Sequence, residues 1–76
     1  MKFPNKVISY NESIISKFPI ILSKLEKKEY EPLELYKKVK AKFETPFEYI
    51  EALDCLYGLE SIELTERNTL KYVNRN

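Results

Sequence analysis

The chain has little of several residue types on which common enzyme and metal sites depend. Its 76 residues include one glycine, one cysteine and no histidine. A single glycine excludes a glycine-rich phosphate cradle, and one thiol without histidine excludes a zinc site of ordinary composition. The single cysteine, Cys55, also excludes an internal disulfide framework and indicates a reducing, intracellular setting. We therefore expect no cofactor, no metal and no catalytic residue.

Long apolar runs are missing as well. No stretch of the chain approaches the ~20 apolar residues that a helix needs to cross a bilayer. Polar residues such as Asn5, Lys6 and Ser9 interrupt the opening where a signal peptide would have its apolar core. These features predict a cytoplasmic protein with one domain covering residues 1–76. The net charge of +1 gives no global attraction to nucleic acid or to anionic lipid.

Aromatic residues, in contrast, are abundant. Six Tyr and four Phe are many for a chain of 76 residues, because a small core cannot easily hold them all. Some of these rings are expected to reach the surface, where Tyr is a favoured anchor in protein interfaces.

The clearest local pattern lies between Thr45 and Leu64. Thr45 fits a helix N-cap, and Pro46 suits the first helical position because no backbone donor is needed there. Glu48, three residues after Thr45, completes a capping box. Gly58 fits the left-handed residue that closes a helix. The pattern predicts a helix from about Pro46 to Tyr57.

Two helices precede this one. An apolar stripe with helical spacing marks the first of them, at Ile14, Phe18, Leu22 and Leu25. Pro19 interrupts the stripe, which predicts a kink or a break into two short helices. The second helix begins at Pro32, and five residues are expected on its buried side: Leu33, Leu35, Tyr36, Val39 and Phe43.

A hairpin completes the predicted fold. Ser61–Leu64 and Thr69–Val73 alternate as strands, and Asn68 can adopt the left-handed conformation in the turn between them. Val7-Ile8 fits a short N-terminal strand, and Ser9 with Glu12 forms a second capping-box pattern. The predicted class is therefore α+β, a small winged-helix-like domain of three helices, the first kinked at proline, plus a C-terminal hairpin.

A helical wheel of the third helix separates two kinds of surface. The apolar side is predicted to contain Tyr49, Ile50, Leu53, Leu56 and Tyr57. The opposite arc contains Glu48, Glu51 and Cys55, flanked by Phe47, Ala52 and Asp54. Three carboxylates on the helix that would enter a DNA groove oppose binding to phosphates. A protein interface is the better prediction, and its candidate residues are Phe47, Glu48, Glu51, Asp54, Cys55, Tyr10 and Tyr30.

Two other functions stay open. A small DNA-binding transcriptional regulator would use a basic surface away from the third helix, formed by Lys37, Lys38, Lys40, Lys42 and Arg67. A plain homodimer is the other possibility, and the mass in solution at several concentrations would identify it.

Three segments of the chain resemble one protein family. They are Phe3-Pro4-Asn5-Lys6-Val7-Ile8, Asn11-Glu12-Ser13-Ile14-Ile15, and Phe47–Leu64 around Ala52-Leu53-Asp54-Cys55-Leu56-Tyr57-Gly58-Leu59. Together they resemble the small middle-component proteins of bacterial three-component ABC systems. The resemblance implies a non-catalytic subunit that binds an SMC- or Rad50-like ABC ATPase, an effector or both, in Lamassu-type anti-phage defence. It implies that the ATP chemistry and any nuclease activity belong to those partners.

Overall fold

The structure is a computed structural model that describes residues 11–73. Residues 11–16 form helix α1. The elements that follow are α2 (Phe18–Leu25), α3 (Pro32–Val39), a short 3-10 helix (Lys40–Lys42), α4 (Pro46–Gly58), β1 (Ile62–Leu64) and β2 (Leu70–Tyr72). The predicted α+β, winged-helix-like order of helices and a C-terminal hairpin is confirmed. The predictions for Val7-Ile8, the Ser9 capping box and Tyr10 fall outside the described residues.

The break between α1 and α2 lies at Lys17, two residues before the proline. Pro19 has no N–H to donate to the carbonyl of Ile15, so the helical ladder cannot continue unchanged. The Lys17 N–H instead donates to the Ile14 carbonyl at 3.0 Å, a tighter turn than an α-helix makes. Ile14 and Ile21, on either side of the break, are both buried. The predicted kink is confirmed, with one core shared by both helices.

The hairpin pairs β1 and β2 antiparallel, with Ile62 opposite Tyr72 and Leu64 opposite Leu70. Asn68 has the predicted left-handed conformation in the turn, with φ of 62°. On the other side of β2, Tyr30 forms an isolated antiparallel bridge with Leu70. This bridge adds a third strand position ahead of α3. Sequence analysis did not predict it, because a single paired residue leaves no alternating pattern.

Helix α3 faces the core through Leu35 and Val39, and Phe43 continues this buried side beyond the 3-10 helix. The Glu31 N–H donates to the Glu34 carboxylate at 3.2 Å and so helps to cap the start of the helix. The prediction that Leu33 is buried is wrong, since its side chain is 64% exposed.

Helix α4 begins as predicted and ends differently. The Thr45 hydroxyl accepts from the Glu48 N–H at 3.1 Å, which confirms the N-cap. Gly58 is an ordinary helical residue, and the left-handed residue is Glu60, with φ of 61°. The Glu60 N–H donates to the Tyr57 carbonyl and the Ser61 N–H to the Leu56 carbonyl, which is a Schellman motif. The prediction of a closing role for Gly58 is therefore wrong.

Candidate functional site

Helix α4 buries a carboxylate on the face that packs against the core. Glu48 is 3% exposed. Its Oε1 lies 3.0 Å from Lys17 Nζ and accepts from the Glu44 N–H at 2.9 Å. Its Oε2 accepts from the Ser13 hydroxyl at 2.9 Å. The carboxylate therefore joins α1, the break at Lys17 and the start of α4 in one hydrogen-bonded cluster.

The charge of Glu48 is stabilised by the donors around it. The Glu44 backbone N–H makes the largest contribution to lowering the pKa of Glu48, and Lys17 and Ser13 lower it further against the opposing effect of burial. The Lys17 ammonium also lies over the Phe43 ring, 5.2 Å from its centroid. This arrangement fits a structural ion pair, since each polar partner of Glu48 comes from the fold itself.

The predicted capping box is wrong in one of its two bonds. The Glu48 carboxylate accepts from the N–H of Glu44 and not from that of Thr45. The expectation that Glu48 lies on the exposed arc of the helix is also wrong. Its position as an interior residue excludes it from a surface that a partner could contact without local unfolding.

The buried face of α4 is rotated by roughly a quarter turn from the predicted one. Tyr49 and Leu56 are buried as predicted, but Glu48 and Ala52 complete the inner face. The Tyr49 hydroxyl donates to the Pro32 carbonyl at 2.6 Å, and burial raises the pKa of Tyr49. Its ring packs against Tyr36 and Phe43, at centroid distances of 4.9 and 5.5 Å. The bond between Tyr49 and Pro32 fixes α4 against the start of α3.

Because of this rotation, apolar side chains lie on the outer face of α4. Phe47 is 75% exposed, Ile50 50% and Tyr57 61%. The predictions that Ile50 and Tyr57 are buried are wrong. Glu51, Asp54 and Cys55 lie on the exposed surface of the helix, as expected for residues of the acidic arc. The outer face therefore alternates apolar and acidic side chains.

An open apolar groove, which we call the α3–α4 groove, runs beside this outer face. Its first part is a concavity of about 350 Å³ between the two helices. The lining residues are Pro32, Leu33 and Tyr36 from α3 and Pro46, Tyr49, Ile50 and Leu53 from α4. Because the Tyr49 hydroxyl donates to the Pro32 carbonyl, only the ring of Tyr49 faces the groove floor, where it adds apolar surface.

The second part of the groove lies between α4 and the hairpin. It shares Pro32 and Leu53 with the first part and adds Asp54, Tyr57, Ile62, Leu64 and Leu70. Leu64 is half exposed at this end. The two parts form one apolar surface along α4, with the Asp54 carboxylate at its edge.

The remaining predicted site residues are dispersed. Tyr30 is partly buried against the core and pairs with β2, with Lys28 Nζ 4.9 Å from its ring centroid. Lys37, Lys38, Lys40 and Lys42 are exposed on α3 and the 3-10 helix. Arg67, at the hairpin turn, forms an ion pair of 2.8 Å with Glu29. The structure brings none of these residues into the α3–α4 groove.

Sequence reasoning missed the groove because it assigned Ile50, Leu53 and Tyr57 to the core and, among the large apolar residues of α4, only Phe47 to the exposed arc. One signal was available. Helix α4 has six large apolar residues, which are too many for one narrow stripe and therefore indicate two apolar faces. These residues are Phe47, Tyr49, Ile50, Leu53, Leu56 and Tyr57. Burial of Glu48 had no signal in the sequence, because its partners Ser13 and Lys17 are distant along the chain.

Two further properties of the described residues bear on function. Residues 11–73 contain no group of three or more carboxylate or cysteine side chains placed to hold a metal ion. No helix within this range has the length and apolar character that crossing a membrane requires.

Comparison with known proteins identifies the family. The model of the family described as ABC-three component (ABC-3C) system Middle Component 7 matches residues 3–71. Neither a search of curated proteins nor a search of solved structures returns a match. The matched range includes α1 to α4, with both faces of α4, and β1. The predicted resemblance to middle components of three-component ABC systems is confirmed, and the chain belongs to the Middle Component 7 family of ABC-three component systems.

Proposed function

We propose that the chain is a non-catalytic adaptor subunit that binds an SMC-like ABC ATPase, an effector or both in a bacterial anti-phage defence complex. A middle component of a three-component system works among other subunits, so its surface has to include sites for protein partners. In this proposal the complex is cytoplasmic and of the Lamassu type. ATP hydrolysis and the effector's reaction take place in the partner subunits.

The observation that carries this proposal is the exposed apolar surface along α4. A contiguous apolar surface with a polar edge is typical of interaction sites, because burial against a partner removes it from water. Large residues such as Phe47 and Tyr57 are among those that contribute most to binding energy in protein interfaces.

Charge supports a protein partner over DNA. Helix α4 has no Lys or Arg from Pro46 to Gly58, and its exposed side contains Glu51 and Asp54. Affinity for duplex DNA comes mainly from basic groups that neutralise phosphates. At the hairpin turn, Glu29 already pairs with Arg67. The surface that a winged helix would direct into a groove therefore has the wrong charge.

Copurification tests the proposal. The chain, with an affinity tag, is co-expressed with the proteins encoded beside it, and the purified material is analysed by mass spectrometry and by mass in solution. We expect a stable complex that contains the ATPase or the effector. Recovery of the chain alone at every salt concentration would contradict the adaptor role.

Substitutions of exposed residues refine this test. Phe47→Ala removes an exposed ring from α4, and Glu51→Lys reverses a charge on the same face; we expect both to weaken the assembly. Ile15→Ala is the matched control, because Ile15 is exposed on α1, a different helix. Equal complex yield for all three variants would show that the outer face of α4 is not the contact surface.

A further inference from the structure

We propose that the α3–α4 groove binds an amphipathic helix of a partner subunit, with a Lys or Arg of that helix placed against Asp54. The inference rests on the proposed adaptor function and adds to it the binding site and the chemistry of the partner segment. Three properties of the groove support it: the spacing of its two parts, the hydrogen-bonded backbone of the helices that form its walls, and the negative charge at its edge.

The spacing of the two parts of the groove matches that of two side chains on one face of a helix. Ile50 lines the first part of the groove and Tyr57 lines the second. The two residues are seven positions apart on α4, which corresponds to about 10 Å along the helix axis. Apolar residues at positions i and i+7 of a partner helix have the same separation. Docking of this kind, with an apolar helical face in an apolar groove, is a recurring mode of peptide recognition.

The walls of the first part of the groove favour a helix over an extended strand. They consist of α3 and α4, whose backbone N–H and C=O groups are used within those helices. An extended segment would bury backbone polar groups there without partners, which is costly. A helix satisfies its own backbone and needs only apolar contact. The groove also lacks the convergent polar groups that position a small-molecule ligand.

The charge of Asp54 indicates which polar residue the partner helix should contain. Asp54 lines the second part of the groove, and within residues 11–73 the structure records no ion pair or hydrogen bond for its carboxylate. If an apolar side chain of the partner helix enters the groove, a Lys or Arg one turn away on that helix would lie close enough to pair with the Asp54 carboxylate. A second copy of the chain fits less well, because a two-fold contact through this face would bring the acidic α4 surfaces together.

The experiment uses the complex of the chain with the ATPase and effector subunits encoded beside it. A photo-crosslinking phenylalanine analogue, p-benzoylphenylalanine, replaces Tyr57 in the groove or Leu59 beyond the end of α4. Tyr57 and Leu59 have nearly equal exposure, 61% and 62%. We expect the Tyr57 position to crosslink to one amphipathic segment of a partner subunit and the Leu59 position to give at least tenfold less product.

Substitutions provide the second measurement. Ile50→Ser and Asp54→Lys should each lower the yield of the complex at least tenfold, whereas Ile15→Ser and Glu66→Lys, exposed changes of the same kind elsewhere, should not. A charge-reversing substitution of the crosslinked Lys or Arg in the partner should restore binding to Asp54→Lys. Circular dichroism melting of each variant alone verifies that it folds.

The outcomes separate the two proposals. If the complex forms but groove and control variants give equal yield, the groove is not the binding site, although the adaptor function stands. Crosslinks from Tyr57 to a second copy of this chain would likewise contradict the inference. If no complex forms with any variant or with the unchanged chain, the adaptor function itself is contradicted, and the groove inference with it.

Discussion

Each face of α4, the inner and the outer, contains residues of a kind that most surface helices place on the other face. The inner face buries the Glu48 carboxylate beside Tyr49, Ala52 and Leu56, whereas the outer face exposes large apolar side chains such as Phe47. Surface helices usually direct apolar residues inward and charged residues outward. Glu48 has its polar partners within the described chain, whereas the large side chains of the outer face stay exposed there.

The inner face therefore contributes to folding. Glu48 has three donors, and each comes from a different segment: α1, the break at Lys17 and the residue before the Thr45 cap. A buried charge is tolerated when it is paired and hydrogen-bonded in this way. The large apolar side chains of the outer face stay exposed within residues 11–73. Burying them against a partner would therefore add favourable free energy to binding. The four predictions that follow test this contrast.

Among the changes to charged residues, the largest expected effect is that of Glu48→Ala. The substitution leaves Lys17 without its carboxylate and removes the acceptor of the Ser13 and Glu44 donors. We expect the free energy of unfolding to fall by about 2–3 kcal/mol, because a partly buried cation and two donors lose their partner. Urea denaturation followed by circular dichroism measures the change.

Asp54→Ala is the control on the outer face. Since Asp54 is exposed, its removal should change the free energy of unfolding by no more than about 0.5 kcal/mol. Equal losses for the two variants would mean that the Glu48 cluster contributes nothing beyond a surface charge.

The second prediction concerns pH. The pKa of Glu48 lies below its usual value of 4.5 in the folded protein, chiefly because the Glu44 N–H donates to the carboxylate. A lowered folded pKa gives stability that is fully present above the unfolded pKa and is lost as pH falls through the folded pKa. We expect Glu48→Gln to be less stable at pH 7 and to lose less stability on acidification.

A second carboxylate has to be separated from this effect. Thr69 and Arg67 donate hydrogen bonds to Glu29 and lower its pKa as well. Denaturation curves between pH 2.5 and 7 for Glu29→Gln provide the comparison. If Glu48→Gln retains the full pH dependence of the unchanged chain, the titration of Glu48 is not coupled to folding.

The contrast between the faces also shows what the sequence could reveal. Helices, kink and hairpin were predictable because their signals are local: Thr45 with Pro46 begins α4, Pro19 breaks the first helix, and Asn68 occupies the turn. The rotation of α4 was not predictable, because it depends on contacts between distant residues. Ser13 and Lys17 precede Glu48 by 35 and 31 positions, and Pro32 precedes Tyr49 by 17.

The candidate site was predicted only in outline. The acidic character of the outer face follows from Glu51 and Asp54, which a wheel places correctly. The groove depends on which apolar residues the core leaves out, and a wheel has no means of choosing Leu56 over Ile50. In the structure the helix is oriented with Glu48 and Leu56 inside and Ile50 outside. A polar contact between segments thus accompanies the orientation that leaves the apolar surface exposed.

The third prediction concerns the end of α4. Gly58 is helical, and a Cβ added there would meet nothing within 4 Å. Because alanine loses less conformational freedom than glycine in a helix, Gly58→Ala should raise the free energy of unfolding by about 0.5–1 kcal/mol. Thermal and urea unfolding provide the measurement. A destabilised variant would indicate that the chain needs the flexibility of glycine at this position, as the sequence alone had suggested.

Ile50→Ser is expected to have only a small effect on stability, although it removes a large apolar side chain from the middle of α4. Ile50 is 50% exposed and belongs to the groove, so the isolated chain should lose at most about 0.5–1 kcal/mol of unfolding free energy. Leu56→Ser, a similar change on the inner face where the side chain is 1% exposed, should unfold the chain or cost several times more. The same urea titration measures both variants. A loss for Ile50→Ser as large as that for Leu56→Ser would mean that the outer face stabilises the fold directly, and the distinction between the two faces of α4 would fail.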